Sequence, residues 1–236
     1  MTTSARPHAS RPAHRRATAV ALAVLLASAA HGRQRNGFDP GERGRPALKV
    51  IGDADGLPQN TLHAITFDAQ GRLWVGTQDG AAVSDGRGWQ VVNMPSRMVS
   101  NFVRAILAAS DGSLWFGTQA GGLHRLVDER WDDLTPPCPD STEPRVNALL
   151  ETLDPPAIWV ATHNCGVARY VGGAWEFFGP DRGLPSPRVW GLHADSGVGA
   201  AAGSVWAGTE GGVAALAPGS TRFAAEPGFP PVSANT

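Results

Sequence analysis

One short phrase is written four times along this chain: Leu73-Trp74-Val75-Gly76-Thr77, Leu114-Trp115-Phe116-Gly117-Thr118, Ile158-Trp159-Val160-Ala161-Thr162 and Val205-Trp206-Ala207-Gly208-Thr209. Its tryptophans are 41, 44 and 47 residues apart. Self-similarity at that period is the mark of stacked four-stranded units, most often propeller blades. A second register supports it. Trp89, Trp131, Trp175 and Phe223 follow the first aromatic by 15, 16, 16 and 17 residues. Seven of the eight tryptophans therefore fall in the repeat frame: Trp74, Trp115, Trp159, Trp206, Trp89, Trp131 and Trp175. They are read as structural, since stacking sheet on sheet buries about 150–250 Å² per aromatic.

The expected fold class is all-β, with four four-stranded antiparallel blades in a ring that four blades leave incomplete. The blades are expected at about 60–93, 101–135, 144–179 and 187–226, within a propeller region of 48–236. In the third repeat the inner strands are expected at Val146 to Leu150 and Ile158 to Ala161, and in the fourth the outer strand at Arg222 to Ala225. The small Gly or Ala before each Thr is expected to let the backbone turn. Among 236 residues, 29 Gly and 19 Pro suit a protein of many tight turns, and a charged share of 17% against 42% hydrophobic suits a packed core.

The first 30 residues read as a secretory signal peptide. Arg6, Arg11, Arg15 and Arg16 form a basic region, Ala17 to Ala30 is apolar but short for a bilayer span, and small residues offer cleavage near Ala29-Ala30. No Cys follows, which argues against a lipoprotein anchor. The expected location is periplasmic or secreted. Residues 31–47, with four Arg and four Gly, read as a flexible linker. Without the signal segment, 16 basic residues face 21 acidic ones, a net charge of −5. That balance offers no nucleic-acid footprint.

The phrases together resemble the two-component regulator propeller family, whose blades carry a D-x-x-G-x-[LI]-W-[IVF]-G-T-x-x-G-G-L pattern joined by G-L-P-x-N linkers. Asp68-Ala69-Gln70-Gly71-Arg72-Leu73-Trp74-Val75-Gly76-Thr77 matches it, as does Asp111-Gly112-Ser113-Leu114-Trp115-Phe116-Gly117-Thr118 with Gly121-Gly122-Leu123. Linkers stand at Gly56-Leu57-Pro58-Gln59-Asn60, Met98-Val99-Ser100-Asn101 and Gly183-Leu184-Pro185-Ser186-Pro187. The third repeat departs with Asp154-Pro155-Pro156 in place of the Asp-Gly turn, and the fourth has a longer turn over Asp195 to Gly203.

The resemblance implies a periplasmic sensor propeller of hybrid histidine kinases or diguanylate cyclases. Such propellers close with more than four blades. Leu48 to Gly52 reads as an outer strand without its own blade, and 228–236 as the start of a further linker. The chain is therefore expected to be a truncated or N-terminal fragment lacking the output domain, or a decayed gene product. Expected partners are a small-molecule or glycan ligand, further propeller blades or a membrane-anchored kinase or cyclase output module, and a homodimer is admitted. No cofactor or metal is expected.

In a blade, the b–c and d–a loops share one face. That face gathers Gln59, Asn60, Gln78, Asp79, Asn101, Gln119, Arg145, His163, Asn164, Arg188 and Glu210 as ligand-face candidates. Cys138, in a d–a linker, and Cys165, in the next b–c turn, fall on the same face and are expected to pair after export. The leading reading is a non-catalytic ligand sensor. The alternative is a propeller lyase with a metal at the ring centre, for which only His163 stands on a suitable loop.

Overall fold

The structure, a computed structural model, describes residues 49–95, 101–139, 143–195 and 203–229. The expected signal peptide and linker, Met98-Val99-Ser100, most of the long turn before Ser204 and the last seven residues lie outside the described residues. The chain divides into two units, Met1–Lys49 and Val50–Thr236, and the repeats occupy the second.

That unit holds four antiparallel four-stranded meanders. The first is β1 (Leu62–Phe67), β2 (Leu73–Thr77), β3 (Gly80–Ser84) and β4 (Trp89–Val91). The second is β5 (Val103–Ala108), β6 (Leu114–Thr118), β7 (Leu123–Val127) and β8 (Arg130–Asp133). The third is β9 (Val146–Leu153), β10 (Pro156–Thr162), β11 (Val167–Val171) and β12 (Ala174–Phe178). The fourth is β13 (Val189–Ala194), β14 (Val205–Thr209), β15 (Gly212–Leu216) and β16 (Ala224–Ala225). The inner strands β1, β5, β9 and β13 neighbour one another in that order, and β13 does not pack back on β1. The blades form an open arc.

Burial lies between blades. Along β2, β6 and β10 the alternation of side chains sends the tryptophan to the following blade and the next residue to the preceding one. Trp74 packs with Phe116 and Trp131 of the second blade, Trp115 with Val160, Tyr170 and Trp175 of the third, and Trp159 with Ala207 and Phe223 of the fourth. Ring contacts run edge-to-face across the first two junctions, at 5.8 Å for Trp74–Phe116 and 5.8 Å for Trp115–Tyr170. The three indole N–H groups are also satisfied, donating to Asp68 Oδ2 (2.8 Å), Ser113 Oγ (2.9 Å) and Thr152 Oγ1 (3.0 Å).

The small residue before each Thr does not turn the chain, as the sequence suggested. Gly76 and Gly117 lie inside β2 and β6, paired with Ala64 and Ala105. A Cβ on Gly76 would stand 2.7 Å from Val103 Cγ1, and one on Gly117 2.3 Å from Val146 Cγ1. The glycine is a hole for the valine that opens the next blade. Ala161 holds this position in the third junction, in one core with Val189.

The Thr makes the turn instead. Each is buried, and each hydroxyl donates to a glycine carbonyl: Thr77 to Gly80 (3.0 Å), Thr118 to Gly122 (3.1 Å), Thr162 to Gly166 (2.8 Å) and Thr209 to Gly212 (2.7 Å). It also accepts a turn N–H, from Asp79, Gly121, Cys165 and Gly211 respectively. In the Gly-Leu-Pro linkers, a 3-10 turn (Asp53–Asp55, Pro180–Arg182) ends on Gly56 or Gly183 at positive φ, and Leu57 or Leu184 is then buried.

Three further expectations change. The segment 49–52 carries no strand; Gly52 instead opens the first 3-10 turn. The inner hairpin of the third blade is longer than expected, because Thr152 and Leu153 pair with Ala157 and Pro156 across a two-residue Asp154-Pro155 turn. In the fourth blade only Ala224 and Ala225 form the outer strand; Ser220 closes a local turn on Arg222 instead.

The Asp of the first turn is a cap. Asp68 accepts the N–H groups of Gln70 and Arg72 on Oδ1, and Arg72 Nε and Trp74 Nε1 on Oδ2. Burial pushes its carboxyl up, but the bonds from Trp74 and Arg72 outweigh this and hold it below the ordinary carboxylate range. The same balance holds Asp111 down through Ser113, and Glu176 through Arg182 and Arg169. Each folded-state pKa is depressed, so each contribution is complete above the ordinary carboxylate range. It is lost as pH falls through the folded values. Acid titration followed by tryptophan fluorescence should show stability falling with pH below about 4, and Asp68→Asn should flatten that dependence. Gly117→Ala is expected to cost about 1–3 kcal/mol in urea unfolding by overpacking, and Val146→Ala in the same chain should recover part of it.

Candidate functional site: the inner rim of the arc

Each inner strand carries a bulge at the same place. Pairing shifts register between Leu62 and Ala64, between Val103 and Ala105, opposite Ala161/Thr162, and between Val189 and Gly191. His63, Arg104, Asn147 and Trp190 are the residues left without a ladder partner. A bulge re-aims its side chain. Here it turns one residue per blade out of the ladder, beside the b–c turns.

Those turns are fixed to the strand entries by one repeated backbone bond. Gln78 donates to the Thr61 carbonyl (3.3 Å), Gln119 to Phe102 (2.9 Å), His163 to Arg145 (2.9 Å) and Glu210 to Arg188 (2.9 Å). Three positions per blade therefore share a short stretch of rim: the strand entry, the bulge and the first turn residue.

In the first two blades the rim is aromatic and polar. His63 lies against Phe102 with centroids 4.5 Å apart, and the Arg104 guanidinium sits 5.7 Å over the Phe102 ring while donating to Gln119 Oε1. In the third and fourth blades it is cationic. His163 meets Trp190 edge-on at 5.1 Å, and Arg188 Nη1 donates to both oxygens of Glu210 (2.9 and 3.1 Å). Trp190 is 47% exposed. Burial, then the charges of Arg145, Arg188 and Arg104, push the His163 imidazole below its usual value, against a smaller opposing pull from Glu210. The charges of Arg145, Arg188 and Arg104 thus act together on one imidazole. Arg188 has a carboxylate partner; the Arg145 guanidinium has none among the described residues.

Of the face candidates, Gln119, Arg145, His163, Arg188 and Glu210 come together here. Asn164 supports the group from behind, its Oδ1 accepting Arg145 N–H (3.3 Å) and its amide donating to Glu143 O (3.4 Å). Gln59 and Asn60 serve their own linker: Gln59 accepts from Thr61 N and Asn60 Oδ1 from Asp53 N (2.7 Å). Asn101 contributes its carbonyl to Gly80 N (2.9 Å). Gln78 and Asp79 are exposed in the first b–c turn. Sequence reasoning missed Phe102, Arg104 and Trp190. The signal for Arg104 and Trp190 was the triplet of aliphatic, variable and small residues that opens every blade: Leu62-His63-Ala64, Val103-Arg104-Ala105, Val146-Asn147-Ala148, Val189-Trp190-Gly191; Phe102 stands just before its triplet.

Cys138 and Cys165 are joined as a disulfide, Cα atoms 5.8 Å apart and 27 residues apart in sequence. The bond ties the linker before the third blade to the turn that carries His163. Among the described residues no three His, Cys, Asp or Glu side chains form a group suited to a metal ion. No helix there is long and apolar enough to cross a membrane.

The fold and its repeated turn define a β-propeller built from a-b-c-d meanders. Residues 56–79 and 98–120 match the family described as two component regulator propeller. The chain is similar to the extracellular domain of the hybrid two-component system BT3049 from B. thetaiotaomicron, with 22% identity and a TM-score of 0.61 over 75% of this chain and 26% of that one. It is likewise similar to the extracellular domain of the one-component system BT4673 from B. thetaiotaomicron, with 18% identity and a TM-score of 0.60 over 77% of this chain and 23% of that one. The chain spans about a quarter of the length of these structures, and at such identities the likeness is one of fold. No curated protein matches it.

Two outcomes follow. Reduction of the Cys138–Cys165 bond should lower stability by roughly 3–4 kcal/mol in the chain-entropy description, read as a drop in thermal midpoint with dithiothreitol and absent in Cys138→Ser/Cys165→Ser. Histidine NMR should find His163 neutral at pH 7, and Arg145→Ala should raise its pKa.

Proposed function

We propose that this chain is the ligand-sensing propeller portion of an extracytoplasmic signalling receptor, non-catalytic itself, and that its ligand is an anion with a flat apolar face, such as an acidic sugar. The observation that carries this reading is the rim of the third and fourth blades, where His163, its backbone N–H bonded to the Arg145 carbonyl, meets the exposed ring of Trp190 and feels the charges of Arg145, Arg188 and Arg104. Like charges crowd unless an anion joins them, and Arg145 has no acidic partner among the described residues. A guanidinium offers a carboxylate or sulfate a bidentate, charge-assisted contact. An aromatic face beside it accepts the apolar side of a sugar ring. The expected signal peptide and the disulfide support export to an oxidising compartment. The repeat family supports coupling to a membrane-anchored kinase or cyclase output module.

Calorimetric titration of the full chain with a uronate disaccharide and its neutral counterpart tests this. The acid should bind, with affinity falling as salt rises, and the neutral sugar should not. Arg145→Ala should weaken binding about tenfold or more, equal to about 1.4 kcal/mol. His163 should titrate higher in the complex. Equal binding of both sugars, binding of neither, or indifference to Arg145→Ala would overturn the proposal.

A further inference from the structure

The third blade sets three rim positions of different chemistry side by side: Arg145 at the strand entry, Asn147 at the bulge and His163 at the first turn residue. Asn147 also reaches across to the backbone of the next blade. Its Nδ2 donates to the Val189 carbonyl at 2.7 Å, 42 residues away in sequence. Arg188 precedes Val189 and Trp190 follows it. The amide of Asn147 is therefore fastened between the two fourth-blade residues that stand on the cationic rim.

That bond decides which way the amide faces. A carbonyl only accepts, so the nitrogen of Asn147 is the atom turned to Val189, and Oδ1 is left on the other arm. Asn147 is half-buried, and its Oδ1 accepts from no group among the described residues.

The neighbouring amide and carboxylate acceptors are already engaged. Gln119 Oε1 receives Arg104, Asn164 Oδ1 receives the Arg145 N–H, and both oxygens of Glu210 receive Arg188. Guanidinium and indole groups only donate. The His163 ring keeps one acceptor nitrogen, which is the position a proton takes up beside an anion. Among the described residues this stretch of rim thus offers many donors and one uncommitted amide acceptor, Asn147 Oδ1.

A ligand that brought only a carboxylate would use the donors and leave this acceptor unmet. Covering an acceptor without replacing its water is unfavourable. A site that bonds a hydroxyl discriminates against the analogue lacking one.

We propose that Asn147 Oδ1 is the specificity determinant of the rim and that the ligand is a hydroxylated carboxylate. The acid meets Arg145, a ring face lies on Trp190, and a hydroxyl of the ligand donates to Asn147 Oδ1. This rests on the anion reading given above and narrows it to anions that also carry a hydroxyl. The bond to Val189 turns the amide before the ligand arrives, so no rotamer has to be fixed on binding. The same bond holds the peptide that leads into Trp190, so the acceptor and the aromatic wall are set together.

Calorimetric titration of the full chain with two carboxylate probes tests this. Methyl glucuronoside carries its acid on a six-membered ring with hydroxyls, and cyclohexanecarboxylate carries the same charge on a six-membered ring without them. Asn147→Leu keeps the size of the side chain and removes both polar atoms of its amide. It should weaken the glucuronoside alone, shifting the ratio of the two affinities about fivefold toward cyclohexanecarboxylate, the span of one net hydrogen bond. Arg145→Ala should weaken both probes together. Binding of the glucuronoside alone by the parent chain is the same preference at its extreme and supports the proposal. An Asn147→Leu chain that keeps the parent's ratio overturns it. So does one that loses affinity for both probes equally, which would make Asn147 a strut of the blade junction only. A parent chain that binds cyclohexanecarboxylate and not the glucuronoside overturns this proposal and leaves the anion reading standing. A parent chain that binds neither overturns the anion reading, and this proposal with it. If Asn147→Leu loses native tryptophan emission, Asn147→Ser, whose hydroxyl is too short to span the junction, replaces it with the same expected shift.

Discussion

The contact between a valine and an absent side chain organises this protein. A four-stranded sheet has two apolar faces and no means of hiding both. The chain solves this by stacking sheets closely enough that a valine of one occupies the volume a Cβ would take in its neighbour. That approach brings the tryptophan of one blade against the aromatic layer of the next. It also places the strand entries beside the neighbouring b–c turns, so the spacing of the rim residues follows from the closeness of the sheets. The hydrogen bonds of the buried threonines are the complement. They hold each turn so that strand c returns in register, and strand d then presents its aromatic to the same core.

How much of this was legible in the sequence depends on what each residue does. Trp74, Trp115, Trp159 and Trp206 reveal the fold because burial of a large ring at a fixed period leaves few architectures. The cysteines meet because a d–a linker and the following b–c turn share a face, a matter of topology. Gly76 and Gly117 are a different case. A glycine beside a threonine suggests a turn, and only the position of Val103 and Val146 on the next sheet shows that the missing Cβ is needed for space. The rim residues were the hardest. Arg104 and Trp190 sit in strands, where alternation assigns each residue to one of two faces. The bulge breaks that alternation, and its placement depends on pairing between strands. The longer hairpin of the third blade shows the same limit: Asp154-Pro155 makes a tighter turn than the Asp-Gly of its neighbours, and two more pairs form.

The rim has an uneven character that the fold does not require. The scaffold positions are nearly identical from blade to blade, yet the strand-entry residues are Thr61, Phe102, Arg145 and Arg188, and the first turn residues are Gln78, Gln119, His163 and Glu210. Positive charge gathers toward the third and fourth blades, and the disulfide fastens the turn that stands there. Regularity in the core and irregularity at the rim are what separate a packing role from a recognition role within one repeat.

The bulge gives this separation a mechanical basis. Because the ladder skips one residue in each inner strand, that residue stands on the rim outside the buried core between the sheets, and its identity is released from the demands that hold its neighbours to valine and alanine. Histidine, arginine, asparagine and tryptophan occupy it in turn. The arc behaves as a reader with one interchangeable letter per blade: the frame keeps the letters in line, and what the line spells can change without disturbing the frame.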